Sequence, residues 1–462
     1  MFVYTGYPGY PLEIVDTETS LICIEGLIYN KSRETIAEEI SHIERSFRDD
    51  LSCKETIRRF IQKSHGAYIV TVFLKDRQRL LLFADAWSRL KAYYYHDPKQ
   101  LILSREHLFI LNKIPEIRID KMALSEFIIL QYTLDHKTLL NDVNKTSTGF
   151  LLSAELRENS IHKMQDSLFS ADFSTEKNVS APQVCIEQSV ALFLESIADI
   201  KNKLEELHYP ITADLSGGYD SRAIFFGLNK MKVRADYYSD RLITGDESGV
   251  ARKVADLCGQ KISVIEASHT LDLDDLLRIT YITGSNVNAI TALVGYQDAR
   301  ARKKVCKEKS VKVGGFGGEY IRHPYHKVLG YVSIASMLKD EIFIRGLNVR
   351  HTAGLLKTNI NTLIGNFRHY LERYEEKTVS DKIKHFYFDY YNNLVNLGED
   401  RSRIHFWTVQ PFMENTLLSY FIRAIPARYT SKKFFISFMA ALDKRSLKAP
   451  IYGSKINLES RR

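Results

Sequence analysis

The positions with the most chemistry in a short span are Ser216-Gly217-Gly218-Tyr219-Asp220-Ser221, placed after the apolar run ending in Leu215 and before Ala223-Ile224-Phe225-Phe226. Glycines at 217 and 218 let backbone N–H groups turn inward and approach an anion closely. Ser216 and Ser221 add hydroxyl donors, and a helix starting near 221 presents its positive end to the same place. These features describe a phosphate cradle. Asp220 makes sense beside phosphate once Mg2+ stands between them, because that ion takes a carboxylate together with phosphate oxygens. A plain Ser/Gly turn accounts for S-G-G alone but not for S-G-G-x-D-S between a strand and a helix. The Walker pattern G-x-x-x-x-G-K-[ST] is absent, which weakens a γ-phosphoryl-transfer reading.

Such a loop needs a parallel sheet to carry it, since ligands of these sheets bind beyond the carboxyl ends of the strands. The pattern supplies one. A strand at 210–215 precedes the loop, and a helix follows from about 221. A strand at 233–239 leads to a helix at 246–258, and further strands are expected at 261–267 and 312–316. This alternation implies a parallel sheet covered by helices. Upstream, Ile186, Val190, Phe193, Ile197, Ile200 and Leu204 step by four and three along one face of an amphipathic helix, with Ser180 and Pro182 at its start. Residues 1 to about 160 read instead as short strands and turns, with 66–74 and 79–85 as paired strands and 100–106 as a third. The polar stretch 165–182 reads as a linker. The region from 340 onward reads as mostly helical and rich in Tyr and Phe. The expected fold class is therefore α/β, with an α+β first domain at 1–165 and a doubly wound parallel-sheet domain with a helical C-terminal part at 180–462.

Bulk properties agree with a globular protein of two domains: 462 residues, 45% hydrophobic and 26% charged. The net charge of +8 mildly favours anionic substrates, but the basic residues are dispersed and do not force nucleic-acid binding. The start shows no signal-peptide pattern, and no apolar run approaches the ~20 residues of a membrane span. Cytoplasmic, membrane-free residence is the expectation. The five cysteines, Cys23, Cys53, Cys185, Cys258 and Cys306, are dispersed and form no C-x-x-C pair, which argues against a disulfide scaffold or a zinc site.

The segment LSGGYDSR, 215–222, resembles the pyrophosphate-binding loop of N-type ATP pyrophosphatases. Along most of its length the chain resembles the asparagine synthetase and β-lactam synthetase superfamily. GAYIVTVFL, LLLFADAWSRLKAYYY, LILSRE and NKTSTGFLL follow the order of the glutaminase-type (Ntn) domain of that superfamily. GDESGVARKVADLCG (245–259) resembles the segment after the second strand, VGGFGGEYIRH (313–323) the second metal-binding loop, and 399–426 the helix and turn before the last helices. The resemblance implies ATP and Mg2+ as cofactors, adenylation of a carboxylate, release of pyrophosphate and attack of an amine. It implies a nucleotide and pyrophosphate site of Ser216, Gly217, Gly218, Asp220, Ser221 and Arg222, metal ligation by Asp220 and Glu319, and a catalytic lysine from a late loop, Lys455 first and Lys448 second.

The departures from the superfamily are informative. Position 2 is Phe2 where glutamine-dependent members carry a nucleophilic cysteine, so the first domain is expected to be unable to hydrolyse glutamine. Lack of that cysteine is shared with β-lactam synthetases and lasso-peptide cyclases. Glu319 stands where the superfamily usually has Asp, and it reaches one methylene further. Phe316 stands where β-lactam synthetases have Tyr and asparagine synthetases Glu, and Trp407 and Thr408 stand where another carboxylate is usual. The proton-moving pair of β-lactam closure is thus not reproduced. Arg401 is a candidate for holding phosphate or a substrate carboxylate, with surface pairing an equal alternative. Asn286 and Asn288 are candidate substrate contacts, with loop capping explaining them as well.

These readings converge on an ATP-dependent amide-forming ligase acting on a small-molecule or peptide carboxylate and an amine, with no membrane or nucleic-acid partner and with a homo-oligomer or a pathway partner protein left open. Two alternatives are an asparagine synthase-type amidotransferase taking ammonia from elsewhere and a degenerate partner protein that binds nucleotide without catalysis. A sulfur-transfer pyrophosphatase would call for active-site cysteines and a concentrated basic surface, and the sequence has neither.

Overall fold

The structure is a computed structural model. It describes all residues except 1–8, 47–49, 158–159, 169–172, 175–179, 243–244, 267–269, 285–286, 323–332, 340–348, 427–428, 454–456 and 462.

The first half is built on an antiparallel sheet. Its strands are β1 (Leu12–Asp16), β2 (Ser20–Ile28), β3 (Gly66–Leu74), β4 (Arg79–Ala84), β8 (Phe150–Arg157) and β9 (Ser160–Ser167), in the order β1-β2-β3-β4-β8-β9. A small antiparallel sheet of β5 (Tyr93–His96), β6 (Leu101–Ser104) and β7 (Val143–Lys145), in the order β6-β5-β7, lies between them in sequence. The alternating and continuous apolar runs 66–74 and 79–84 pair in register, Ile69 opposite Ala84 and Leu74 opposite Arg79. Two helices, Arg33–Ser46 and Asp50–Gln62, are absent from the reading of this half as strands and turns. Their mean hydropathy is low. They bury narrow stripes, among them Ile40, Ile43, Ile57 and Ile61, that are easily lost among Glu, Arg and Ser.

The second half begins with the helix Pro182–Glu206, whose Pro182 occupies the first turn where no N–H is needed. Five strands then form a parallel sheet: β10 (Ile211–Asp214), β11 (Ala235–Leu242), β13 (Ile262–Glu266), β14 (Val311–Val313) and β15 (Trp407–Val409), in the order β13-β11-β10-β14-β15. The two-residue β12 (Gly245–Asp246) pairs antiparallel with β11. All of the parallel strands but β15 fall where the sequence pattern places them. β15 is three buried residues inside a helical region, too short to carry a period of its own.

The winding decides where the site lies. From β10 the chain steps outward to β11 and β13, then returns across the sheet to β14 on the other side of β10 and continues to β15. Right-handed crossovers in opposite directions put their helices on opposite faces. The loops leaving β10 and β14 therefore lie at the switch point, the place at which such sheets bind ligands.

The two halves share one core. A single cluster of buried apolar side chains runs from Ile22 and Phe83 of the antiparallel sheet through Phe193 of the first long helix to Val311, Phe412 and Leu458. A second cluster, centred on Leu363, Phe367, Ile383 and Phe386, unites the C-terminal helices with Leu130 and Tyr132 of the first half. Phe386, Tyr387 and Phe388 of the aromatic run are core, and Asp389 beside them accepts hydrogen bonds from the buried Tyr370 and Tyr374 hydroxyls. Among the described residues no helix is long and apolar enough to cross a membrane.

Candidate active site

A cleft of about 290 Å3 opens at the carboxyl ends of β10 and β11, lined by Asp214, Ser216, Gly218, Tyr219, Asp220, Ser221, Tyr238, Asp240, Glu247 and Gly315 among others. The β10 loop is tied by its own hydroxyls. Ser216 and Ser221 Oγ lie 2.9 Å apart. The Gly218 N–H donates to Ser216 Oγ at 3.1 Å and the Ser216 N–H to Ser221 Oγ at 3.1 Å. The loop is thus shaped before any ligand arrives. The Gly217 N–H points at a carboxylate, donating to Glu247 Oε2 at 2.7 Å. An anion held on this N–H is what a phosphate cradle requires, here supplied by the protein itself.

Asp220 opens the helix Asp220–Lys230, and the β14 loop wraps it. A Cβ on Gly318 would lie 2.5 Å from Asp220 Oδ1, and one on Gly315 would lie 2.9 Å from Asp220 Cβ. Glycine at both positions is therefore the condition for the two loops to touch. Gln410, just after β15, fixes the second loop by accepting the Phe316 N–H at 3.1 Å. Glu319 follows at the start of the short helix Glu319–Arg322 and accepts the Gly317 N–H at 3.0 Å.

Withdrawal from water raises the pKa of both carboxyls. Burial pushes Glu319 up to about 7, helped by the Asp220 charge. Burial also raises Asp220, against the pull of Arg322. Arg322 makes a two-point ion pair with Asp220, Nη2 to Oδ2 at 2.6 Å and Nε to Oδ1 at 3.2 Å. Two neighbouring carboxylates withdrawn from water are a donor set that fits a hard divalent cation. Asp220 and Glu319 are the residues that would hold it.

Deeper along β10 and β11, the buried Arg302 guanidinium pairs with Asp214 and reaches Asp240 at 3.3 Å, and Lys312 meets Asp214 at 3.1 Å. Burial, then the Asp214 charge, raises the Asp240 pKa.

Of the residues expected from sequence, Ser216, Gly218, Asp220 and Ser221 line the cleft, and Gly217 and Glu319 lie beside it. Arg222 does not face a phosphate. Its guanidinium is fully buried and donates to the carbonyls of Ser446, Ala449 and Pro450 at 3.1, 2.8 and 2.6 Å. It sits on the core side of its helix and holds the C-terminal loop. Asn288 does not line the cleft either. It caps the helix Ala289–Val305 through the Ile290 N–H and donates to Gln131 Oε1 at 2.9 Å. Asn286 and Lys455 lie outside the described residues. Arg401 lies on the helix Val379–Arg403, its side chain outside the described set. Lys448 is exposed at the end of the turn Lys444–Leu447. The loop that follows does reach the site. The Tyr452 N–H donates to the Gly217 carbonyl at 3.1 Å, and a Cβ on Gly217 would fall 2.5 Å from Tyr452 Cβ.

Sequence reasoning missed Asp214, Tyr238, Asp240, Glu247, Arg302 and Arg322. Glu247 and Arg322 stand inside segments singled out by resemblance, GDESGVARK and GGEYIRH. Arg302 sits in the run ARARKK and carries no local signal.

No family model matches the chain, and no curated protein matches it. Solved structures similar to it include the glutamine phosphoribosylpyrophosphate (PRPP) amidotransferase from B. subtilis complexed with ADP and GMP, at 8% identity and TM-score 0.20 over 80% of this chain and 77% of that one. Another is a structure of the allosteric regulatory enzyme of purine biosynthesis, at 10% identity and TM-score 0.23 over 81% and 77%. Superposition this loose carries no argument about the site.

Proposed function

We propose that the chain is an ATP-dependent amide-forming ligase of the asparagine synthetase and β-lactam synthetase type, which adenylates a carboxylate, releases pyrophosphate and passes the acyl group to an amine. The observation that carries this reading is the convergence of two glycine-bearing loops at the switch point of a parallel sheet. One presents a preshaped Ser216–Ser221 anion cradle and the other presses Glu319 toward Asp220. Mg2+, bound between Asp220 and Glu319, would neutralise charge on the α- and β-phosphates. Gly217 and Gly218 N–H groups and the Ser216 and Ser221 hydroxyls would hold the leaving pyrophosphate. The cleft walls would align the substrate carboxylate with the α-phosphate, and positioning with charge neutralisation would supply most of the rate. Phe316, whose N–H is held by Gln410 and whose ring moves no proton, leaves the amine to be deprotonated elsewhere. A lysine of the C-terminal loop, Lys455 before Lys448, would meet the charge on the acyl adenylate. The contact of Tyr452 with Gly217 supports that part of the reading.

The first half enters this reading as a scaffold. Cys23, pushed up to about 11 by burial and then by Glu25, and the buried Cys53 are poor nucleophiles.

The test is product analysis with purified protein, ATP, Mg2+ and a panel of candidate acids and amines. AMP and pyrophosphate are expected with ammonia or an amine, and glutamine is expected to yield no glutamate. ADP and phosphate as products would overturn the reaction type. Binding of ATP without turnover across the panel would favour a nucleotide-binding partner protein.

A further inference from the structure

The cleft holds the protein's own ions. Arg322 places a cation on both oxygens of Asp220, the carboxylate that would hold Mg2+. Glu247 places an anion on the Gly217 N–H, a donor that would hold pyrophosphate. Each substitution matches the sign and the donor chemistry of the ligand it replaces. A guanidinium fork satisfies a carboxylate much as a cation does, and a carboxylate satisfies a loop N–H much as a phosphate oxygen does. We infer that Arg322 and Glu247 are exchangeable counter-ions of the site: the metal displaces Arg322 from Asp220, Arg322 then pairs with the pyrophosphate that arrives with the metal, and the pyrophosphate displaces Glu247 from Gly217. This rests on the reading of Asp220 and the Gly217 loop as a metal–pyrophosphate site.

The geometry permits the exchange. Arg322 is the last residue of the short helix that Glu319 opens, so its guanidinium and the Glu319 carboxylate come from one turn of chain. Its side chain retains 29% exposure, and its guanidinium lies 5.9 Å from the centre of the Tyr219 ring, over a residue of the pyrophosphate loop. The guanidinium thus stands between Asp220 and the loop, within side-chain reach of both. Glu247 lies where β12 gives way to the helix Ser248–Asp256, at the cleft wall. Its withdrawal removes a negative charge from the place that a polyphosphate must enter. Without the exchange the cleft would set Asp214, Asp220, Asp240 and Glu247 against an incoming polyanion. With it, one cation gains a phosphate partner and one anion leaves.

The test uses the full-length protein with Mn2+ as a spectroscopic probe of the metal site and inorganic pyrophosphate as a probe of the anion site. Arg322→Gln removes the resident cation. It should raise the affinity for Mn2+ alone by about tenfold and lower the affinity for pyrophosphate in saturating Mg2+ by about tenfold, the size of one charge-assisted pair. Glu247→Gln removes the resident anion and should raise pyrophosphate affinity severalfold while leaving Mn2+ affinity unchanged. Arg322→Lys, which keeps the charge but not the fork, should fall between wild type and Arg322→Gln. If wild type binds both probes and Arg322→Gln leaves Mn2+ affinity unchanged or weaker, the exchange at Asp220 is wrong. If Glu247→Gln leaves pyrophosphate affinity unchanged, the exchange at Gly217 is wrong. If wild type binds neither probe, the fault lies in the metal–pyrophosphate reading.

Discussion

Where the two halves meet, a buried cation faces opposite charges in the dry interior. Arg89, 3% exposed, lies between Asp85 at 3.1 Å and Glu414 at 3.1 Å and also donates to the Gly66 carbonyl. In the second half, carboxylates of like sign gather at an opening. Asp214, Asp220, Asp240 and Glu247 line the cleft with Glu319 behind them, and the cations Arg302, Lys312 and Arg322 compensate only part of the charge. A closed ion network satisfies itself and holds structure together. A cluster of part-buried like charges costs stability unless a ligand completes it, and such an opening is where a bound cation would relieve the cost.

Exchanging the roles of the two regions should break the comparison. Asp220→Ala should lower turnover by about a thousandfold or more, since on the proposed reading Asp220 would hold the charge-neutralising ion. Its melting temperature should stay within a few degrees of wild type, because the carboxylate lost is one that burial disfavours and Arg322, partly exposed, keeps access to water. Loss of the folded state on this change would mean that Asp220 is structural.

Arg89→Ala should do the reverse. It leaves Asp85 and Glu414 buried and facing each other, and removing one partner of such a pair costs about 3–5 kcal/mol. Differential scanning calorimetry should show a drop of several degrees in melting temperature. An unchanged melting temperature would show that the network is ornamental and that the two halves do not lean on each other there.

Arg222→Met sharpens the boundary between the two kinds of residue. Arg222 adjoins the nucleotide loop in sequence but serves the C-terminal loop in space. Its loss leaves three carbonyls without a buried donor and should cost about 2–3 kcal/mol, concentrated locally. Hydrogen exchange should accelerate in 446–453, and nucleotide affinity should change by less than about threefold. A large loss of nucleotide affinity with 446–453 still protected would return Arg222 to the binding site.

The smallest effect concerns His65, which joins the halves through Asp199 Oδ2 at 2.8 Å and Thr416 Oγ1 at 2.9 Å. Burial lowers its pKa, but the hydrogen bond to Asp199 and the Glu414 and Asp199 charges more than offset this, so the net shift is upward from 6.5. A base that holds its proton more tightly when folded stabilises the fold fully below its ordinary pKa. That contribution is lost as pH rises through the raised value. Between about pH 6 and pH 8 wild type should lose up to about 1 kcal/mol relative to His65→Gln, measured by urea denaturation. Parallel pH profiles for the two proteins would remove His65 from the account.

Much of the architecture was legible because it is written in local patterns. The period-two and continuous apolar runs at 66–74 and 79–84, the step of four and three after Pro182, and the strand–loop–helix at 211–230 each depend on neighbours in sequence. The helices 33–46 and 50–62 escaped because their buried stripes are narrow and diluted by charge. β15 escaped because three residues have no period. The shape of the β10 loop was legible for the same local reason: Ser216, Gly218 and Ser221 bond to one another within six residues.

The rest of the site is assembled across long stretches of chain, and only the winding of the sheet decides it. Glycine at 315 and 318 is visible in sequence, but that the two glycines exist to admit Asp220 is not. Glu247, Arg302 and Arg322 reach the cleft from three different crossovers, and Arg222, next to the cradle in sequence, turns to the core. A helix places consecutive side chains about 100° apart, so adjacent residues can serve different surfaces. Which surface becomes a site depends on what the reversal between β13 and β14 brings alongside.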